Sequence, residues 1–344
     1  MCNIESVNTP IIGVNYCLPK ELGNDRVFSI KPKYGSAAYE CQRFKTWMES
    51  HYRVRVHTWD SIDYSSDEVR AVVYLDNTFR YFLKDKVLQK IPYEKRALVL
   101  EEPSHVNPFF YFVPWGRNCF KTIFTHSLAL QKKNPSYVDI NVRVGGEPSE
   151  YVNQKYEYKA FEEKKLLVAV SSNASSPIPW TSYRDRRNAY KYFSAHFKDE
   201  FDLYGRGWEE MGFVNWRGQI EGTYDDKIAK MSSYRFAICY ESNAHEPGYI
   251  SEKIFDCFCA RCVPIYYGSL GVDRLIPENC FIDRRKFAGF RDLGAFLLSI
   301  TKDQYVAYIH AIEKFLHSEE VRFFSSEHFY DTIAKTFNLQ STTG

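Results

Sequence analysis

No apolar run in this sequence is long enough to cross a lipid bilayer. The longest, such as Ala71 to Leu75, fall far short of the ~20 residues that a spanning helix needs. The opening residues, Met1-Cys2-Asn3-Ile4-Glu5, lack the basic-then-apolar order of a secretion signal. An excess of one charge is also missing: Lys and Arg number 45 against 43 Asp and Glu, a net charge of +2. No long basic run is present to follow a phosphate backbone, so nucleic acid is not an expected partner. There is no second CxxC to complete a zinc site with Cys259-Ala-Arg-Cys262. The nine cysteines are odd in number and mostly scattered, which fits reduced thiols better than a disulfide framework. Cys257, Cys259 and Cys262 close an apolar helical stretch and are expected to pack there. Internal repeats and low-complexity tracts are lacking as well. The expectation from these absences is a cytoplasmic protein with no membrane segment.

What is present is an ordinary globular composition, 44% apolar and 26% charged, over 344 residues. At roughly 100–200 residues per domain, that length predicts two domains. The 26 Tyr and 26 Phe are expected mainly in cores, with a sugar-stacking surface as the rival use. Short apolar runs predict inner strands at 69–76, 96–101 and 120–125, and helical spacing covers 36–50. Residues 145–165 turn polar and aperiodic and read as a linker. Alternation then restarts, with strands at 165–171, 201–204, 235–240, 263–267 and 281–283. Helices are expected between them at 184–195, 224–231 and 250–259, and 302–337 reads as wholly helical. The predicted division is 1–155, 156–318 and a C-terminal helical segment over 319–344. Strand–helix alternation in both halves predicts α/β units with parallel sheets. Ligands of such sheets bind beyond the carboxyl ends of the strands. Those positions hold Glu101 to His105, Ser171-Ser172-Asn173, Gly205-Arg206-Gly207, Glu241-Ser242-Asn243 and Gly268-Ser269.

Residues 234–288 carry the densest chemistry. A strand runs into Glu241, a polar loop with Pro247 and Gly248 follows, and Tyr249-Ile250-Ser251-Glu252-Lys253 opens a helix. A helix N-terminus presents unpaired N–H groups and partial positive charge, which suit phosphate. Lys253 adds a full charge for a leaving diphosphate, Glu252 is placed to accept from sugar hydroxyls, and Tyr249 to stack on a base or ribose. Alone, the Glu252-Lys253 pair reads first as an exposed ion pair in a helix's first turn, and the rival reading of Tyr249 is a core ring.

The whole segment resembles the donor-binding signature of the α1,3-fucosyltransferase family. The matching pieces are Tyr240-Glu241-Ser242-Asn243, Tyr249-Ile250-Ser251-Glu252-Lys253, Val263-Pro264, Gly268 and Phe281-Ile282-Asp283, in order over about 50 residues. Three details depart: Ser and Asn are exchanged after Glu241, the loop is one residue longer, and Ser251 replaces Thr. Upstream, Ser171-Ser172-Asn173 and Arg187-Asn188-Ala189-Tyr190 are similar to the family's strand-end Ser-Asn and its phosphate-binding Arg. Arg184 and Arg186 are close rivals to Arg187. Tyr204-Gly205-Arg206-Gly207 matches a strand-to-turn element and not a dinucleotide fingerprint, since Glu210 stands where Gly is needed.

The resemblance implies a GT-B architecture, two Rossmann-like domains with parallel sheets facing across a cleft. It implies inverting transfer of fucose from GDP-fucose to a hydroxyl of an oligosaccharide or glycan acceptor, α1,3 to GlcNAc or Glc. Asn173, Arg187, Asn243, Tyr249, Glu252 and Lys253 would bind the donor. Such transfer needs a base for the acceptor hydroxyl, and a carboxylate suits an inverting displacement. Glu101-Glu102-Pro103-Ser104-His105 resembles the family's Glu-Ser-Pro-Ser-His element, which assigns Glu101 as the base ahead of Glu102 and His105. No Asp-x-Asp pair occurs in the chain. The expectation is therefore that Arg187 and Lys253 neutralise the diphosphate, with no metal and no cofactor required. Two rival readings are a GT-B transferase of another nucleotide sugar and a non-catalytic carbohydrate- or nucleotide-binding protein on the same scaffold.

Overall fold

Near-continuous apolar runs such as Lys165–Val170 (KLLVAV) and Val69–Leu75 (VRAVVYL) have no polar face to show to water. They can only be inner strands covered on both sides, the signature of parallel sheets. The computed structural model of the chain, which describes residues 9–16, 20–32, 36–75, 79–141 and 158–342, places them so. The chain divides into two units, Met1–Gly145 with Ser326–Gly344, and Gly146–Ser325.

The first unit holds strands β1 (Ile11–Asn15), β2 (Arg55–Thr58), β3 (Val69–Leu75), β4 (Arg96–Leu100), β5 (Thr122–Thr125) and β6 (Val138–Asp139). They form one sheet in the order β2-β1-β3-β4-β5-β6, with every pair parallel. The second holds β7 (Lys165–Val170), β8 (Phe201–Tyr204), β9 (Tyr234–Tyr240), β10 (Val263–Tyr267) and β11 (Ile282–Asp283). Its order is β11-β10-β9-β7-β8, again all parallel. In both sheets the chain leaves its first strand in one direction and returns to the other side of it. That reversal sits between β1 and β3 in the first unit and between β7 and β9 in the second. At such a reversal the flanking loops diverge and open a crevice at the carboxyl edge.

Most expected elements appear within a residue or two of their predicted bounds. The helix predicted at 36–50 is Ala37–His51, with Ser36 Oγ accepting from Tyr39 N at 3.2 Å as its cap. β1, β2 and β6 were not foreseen: β1 is five residues interrupted by Gly13, β2 is a four-residue stretch, RVHT, with a single apolar residue, and β6 has only two residues. The predicted helix over 302–337 is instead three pieces. Lys302–Leu316 and Ser326–Thr336 are α-helical, and Glu319–Phe324 between them is a 3-10 turn. The breaks fall at Ser318 and Ser325, both in extended backbone, consistent with serine's preference for helix ends over helix interiors. The last helix joins the first unit, where Phe329, Tyr330, Ile333 and Ala334 enter the core with Phe44 and Met48. Most of the predicted linker at 145–165 lies outside the described residues.

The three clustered cysteines are packed. Cys257, Cys259 and Cys262 are buried, and burial pushes the Cys262 thiol up to about 12. Among the described residues, no cluster of His, Cys, Asp or Glu is arranged to hold a metal ion. Among the same residues, no helix is long and apolar enough to cross a membrane.

Candidate active site

β9 ends in Tyr240, and the next residue, Glu241, is fully buried. A carboxylate there must find donors, and the start of the Glu252–Cys259 helix supplies them. Ser251 N donates to Glu241 Oε1 at 2.8 Å, and Ser251 Oγ to Oε2 at 2.7 Å. Ser251 is also the helix cap, its Oγ accepting from Lys253 N. Glu241 thereby fixes where this helix begins. The loop between adds its own braces. Asn243 Nδ2 donates to Glu246 Oε2 at 3.0 Å, His245 N donates to Asn243 Oδ1 at 3.0 Å, and Gly248 N donates to Ser269 Oγ at 2.8 Å.

Lys253 stands at the centre of this arrangement. Its Nζ lies 2.9 Å from Ser251 Oγ, 3.5 Å from Glu241 Oε2 and 3.6 Å from Glu252 Oε1. Burial works to discharge the ammonium, but the Glu252 and Glu241 carboxylates outweigh it and hold its pKa well above the usual lysine value. The cation is thus permanent near neutral pH. Tyr249 is buried beside it, and Ser242 Oγ donates to the Tyr249 hydroxyl at 3.4 Å.

The loop after β7 forms the other side of the reversal. Ser182 N donates to Ser242 O, and Ala244 N to Ser182 Oγ, each at 2.8 Å, which ties it to the loop after β9. Asn173 Nδ2 donates to Gly207 O at 2.7 Å and pins the turn after β8. That turn needs glycine: Gly205 has φ +132°, and a Cβ there would sit 2.0 Å from the Ser171 carbonyl oxygen. The Tyr183–His196 helix follows, with Arg186 and Arg187 in its first turn and a half. Arg187 Nη1 donates to Ala174 O at 3.0 Å, beside Asn173. Arg186 is buried, and its Nη2 donates to Tyr240 O at 2.8 Å. A cavity of about 30 Å³ lies at the reversal, lined by Ser171, Arg186, Tyr190, Tyr240 and Lys253 among others. It has room for a water or two.

The structure therefore brings Tyr249, Glu252 and Lys253 together, and sets Arg187 on the Asn173 loop. Asn243 is folded back to brace its own loop. The sequence reading passed over Glu241 and Ser251 as chemical groups. The signal was present, since a Glu ending an apolar strand must be paired.

In the first unit, Glu101 follows β4 directly. It is buried, and Glu102 beside it is exposed. The following turn is held by Tyr111 Oη, which donates to Glu102 O at 2.9 Å. Ser104, His105 and Asn107 in that turn are buried too, as are His126 and Ser127 after β5 and Asn141 after β6. Asn107, His126, Ser127 and Asn141 were not singled out from sequence, although His126-Ser127 directly follows a strand that was.

Known proteins resemble this chain at three levels. The model of "Glycosyltransferase family 10 (fucosyltransferase) C-term" matches residues 161–334, just over half of the chain. An α-(1,4)-fucosyltransferase of Arabidopsis thaliana is 35% identical over 85 residues, covering 25% of this chain and 21% of that protein. The α-(1,3)-fucosyltransferase FucT of Helicobacter pylori is 35% identical over 60 residues, 17% of this chain and 12% of that protein. The matched stretches thus span about a fifth or less of these relatives' length. Over nearly the whole chain, the likeness is to solved structures. A crystal structure of α1,3-fucosyltransferase with GDP has TM-score 0.55 at 15% identity, covering 98% of this chain and 93% of that one. A DNA-modifying β-glucosyltransferase has TM-score 0.57 at 11% identity, covering 96% and 100%. Identity that low shows a shared fold, and the fold is the expected GT-B. The family match contains Arg187, Asn243, Tyr249, Glu252 and Lys253 and leaves Glu101 outside it, and on its extent the chain belongs to glycosyltransferase family 10, the fucosyltransferases.

Proposed function

We propose that the protein transfers fucose from GDP-fucose to a hydroxyl of a glycan acceptor, with inversion at the anomeric carbon and no metal ion. The observation that carries this reading is Lys253, a permanently charged ammonium at a capped helix start on the strand-order reversal of the second sheet. That combination of charge, helix end and sheet position suits a nucleotide diphosphate. Lys253 takes the leaving diphosphate together with Arg187, and Glu252 and Tyr249 contact the sugar and nucleoside. Glu101 is the base. Its carboxylate is buried at the end of β4, whereas Glu102 points to solvent. In the reaction the acceptor O–H proton passes to Glu101 and the oxygen bonds to the anomeric carbon. The C–O bond to the β-phosphate breaks and its electron pair leaves with GDP. An α1,3 linkage to GlcNAc or Glc is the acceptor chemistry proposed.

The test combines donor and metal. Calorimetry with GDP-fucose, GDP-mannose and UDP-sugars should give the tightest binding for GDP-fucose. An acceptor array incubated with radiolabelled GDP-fucose should show fucosyl transfer that survives excess EDTA. Preference for a UDP-sugar would make it a transferase of another donor. Loss on chelation with recovery on manganese would overturn the metal-free mechanism.

A further inference from the structure

A larger cavity, of about 410 Å³, lies elsewhere in the second unit. Its volume falls within the range of small-molecule pockets, about 300–1,000 Å³. Three elements enclose it. Asn279 comes from the 3-10 turn Glu278–Cys280, and Phe296, Ser299 and Ile300 from the end of the Phe290–Ser299 helix. Gln304, Ala307 and Tyr308 come from the Lys302–Leu316 helix, where their spacing sets them on one face. The 3-10 turn enters β11 from its amino end, while the loops of the candidate active site leave the carboxyl ends of β7 and β9. All these strands are parallel, so the cavity lies toward the opposite edge of the sheet. It shares no lining residue with the small cavity beside Lys253.

The lining selects a class of ligand. None of these residues is charged, and Lys286 close by is already paired with Glu278 at 2.8 Å. An anion would lose its hydration there without gaining a counter-charge. The walls are apolar in part. Ile300 is buried, Phe296 and Tyr308 are half-buried, and the Phe296 ring is braced by Phe287 at 5.1 Å between centroids. Donors remain between these rings. Gln304 Oε1 accepts from Thr301 N at 2.9 Å, which leaves its Nε2 uncommitted. Asn279 Nδ2 and Tyr308 Oη have no hydrogen-bond partner among the described residues. Burial pushes the Tyr308 hydroxyl up, so it stays a protonated donor. Ser299 Oγ donates to Phe296 O at 2.8 Å and keeps its lone pairs for an incoming donor. A purely apolar occupant would cover these donors without pairing them, which is costly. A sugar ring satisfies both halves of the lining: its C–H face packs on aromatic rings, and the hydroxyls around its edge accept and donate. We propose that this cavity is a second binding site, for a neutral sugar of a glycan, separate from the site at which transfer is proposed. The inference does not depend on the donor-site reading.

The test is a printed array of neutral and acidic oligosaccharides, probed with the fluorescently labelled full chain and two variants of it. Asn279 and Ala307 are both exposed, so Asn279→Ala and Ala307→Trp remove no core contact and should leave Tm unchanged. The full chain should capture neutral glycans. Ala307→Trp fills the cavity and should weaken that capture at least about tenfold, the loss expected when a ring takes the ligand's place. Asn279→Ala removes one donor and should raise the Kd for the best-captured glycan about fivefold, the worth of one hydrogen bond. Should Ala307→Trp fail to fold, Asn279→Ala decides alone. Capture that neither variant weakens would put the glycan elsewhere and overturn the inference. Capture of no neutral glycan, or a preference for acidic ones, would overturn it too. Nile red bound by the full chain and expelled by Ala307→Trp, with no glycan captured, would make this an apolar cavity instead. GDP binding is measured alongside: if the full chain binds no GDP yet shows the glycan pattern above, the donor-site reading fails and this inference stands.

Discussion

The carboxyl edges of the two sheets are built from different materials. At the second sheet's edge, charges are close together in the chain and in space. Glu241, Ser251, Glu252 and Lys253 span 13 positions and meet through contacts of 2.7 to 3.6 Å. At the first sheet's edge, the polar groups are mostly uncharged and come from the ends of three strands: Glu101 and Asn107 after β4, His126 after β5, and Asn141 after β6. One edge is a compact electrostatic device that suits a fixed diphosphate. The other is a dispersed polar surface that suits hydroxyl groups. The difference teaches that one polar edge can be written as a single motif, while the other is assembled from scattered strand ends; on the proposed function, these are the donor and the acceptor sides.

The comparison breaks most visibly at Glu101. Glu101→Gln keeps size and removes the proton acceptor, so turnover should fall 10²- to 10⁴-fold, the usual worth of a positioned base. GDP affinity should hold, because Glu101 belongs to the other unit. Glu102→Gln should retain most activity. If Glu102→Gln is inactive and Glu101→Gln active, the base is the exposed carboxylate; if both are active, His105 is next.

On the proposed function, Lys253→Ala removes one charge-assisted contact to the donor's diphosphate. A loss of about 1.5–3 kcal/mol is expected, read as weaker GDP binding and lower turnover together. Calorimetry checks the first and initial rates the second. An effect on turnover without one on GDP binding would move Lys253 off the diphosphate.

Gly205→Ala sharpens the comparison from the backbone side. Its added methyl meets the Ser171 carbonyl, and its φ of +132° is costly for any other residue. About 2–3 kcal/mol of stability should be lost, roughly 5–10 °C in Tm for a unit of this size. A thermal scan showing no shift would mean that the turn after β8 can relax. Activity of the surviving folded fraction should change least of the three.

The same contrast explains what could be read from the chain. In the second unit, β7 and β9 are near-continuous apolar runs, and its motif keeps order and approximate spacing, so both were legible without coordinates. Glu241 was seen as a motif letter, and its role in setting the helix start required knowing that it is buried against Ser251. Asn243, expected on the donor, turns inward to Glu246, a choice that depends on loop geometry. In the first unit, β1 is interrupted by Gly13 and β2 has one apolar residue in four, so neither shows the unbroken apolar run that marks an inner strand. His126 and Asn141 belong to the polar edge only because β5 and β6 lie next to β4 in the sheet, an adjacency that no local pattern carries.

The terminal helix bears on the order in which the protein can be made. Arg53 N donates to Gln340 O at 2.8 Å and Thr342 N to His51 O at 2.9 Å, while Phe329, Tyr330, Ile333 and Leu339 fill the first core. Domains emerging from a ribosome usually fold N-terminal first. Here the unit translated first lacks part of its interior until residue 339 has been added, whereas the unit translated second is complete by Ser325. Synthesis and closure therefore run in opposite orders, and a chain truncated after Ser325 would carry a complete second unit behind an unfinished first one.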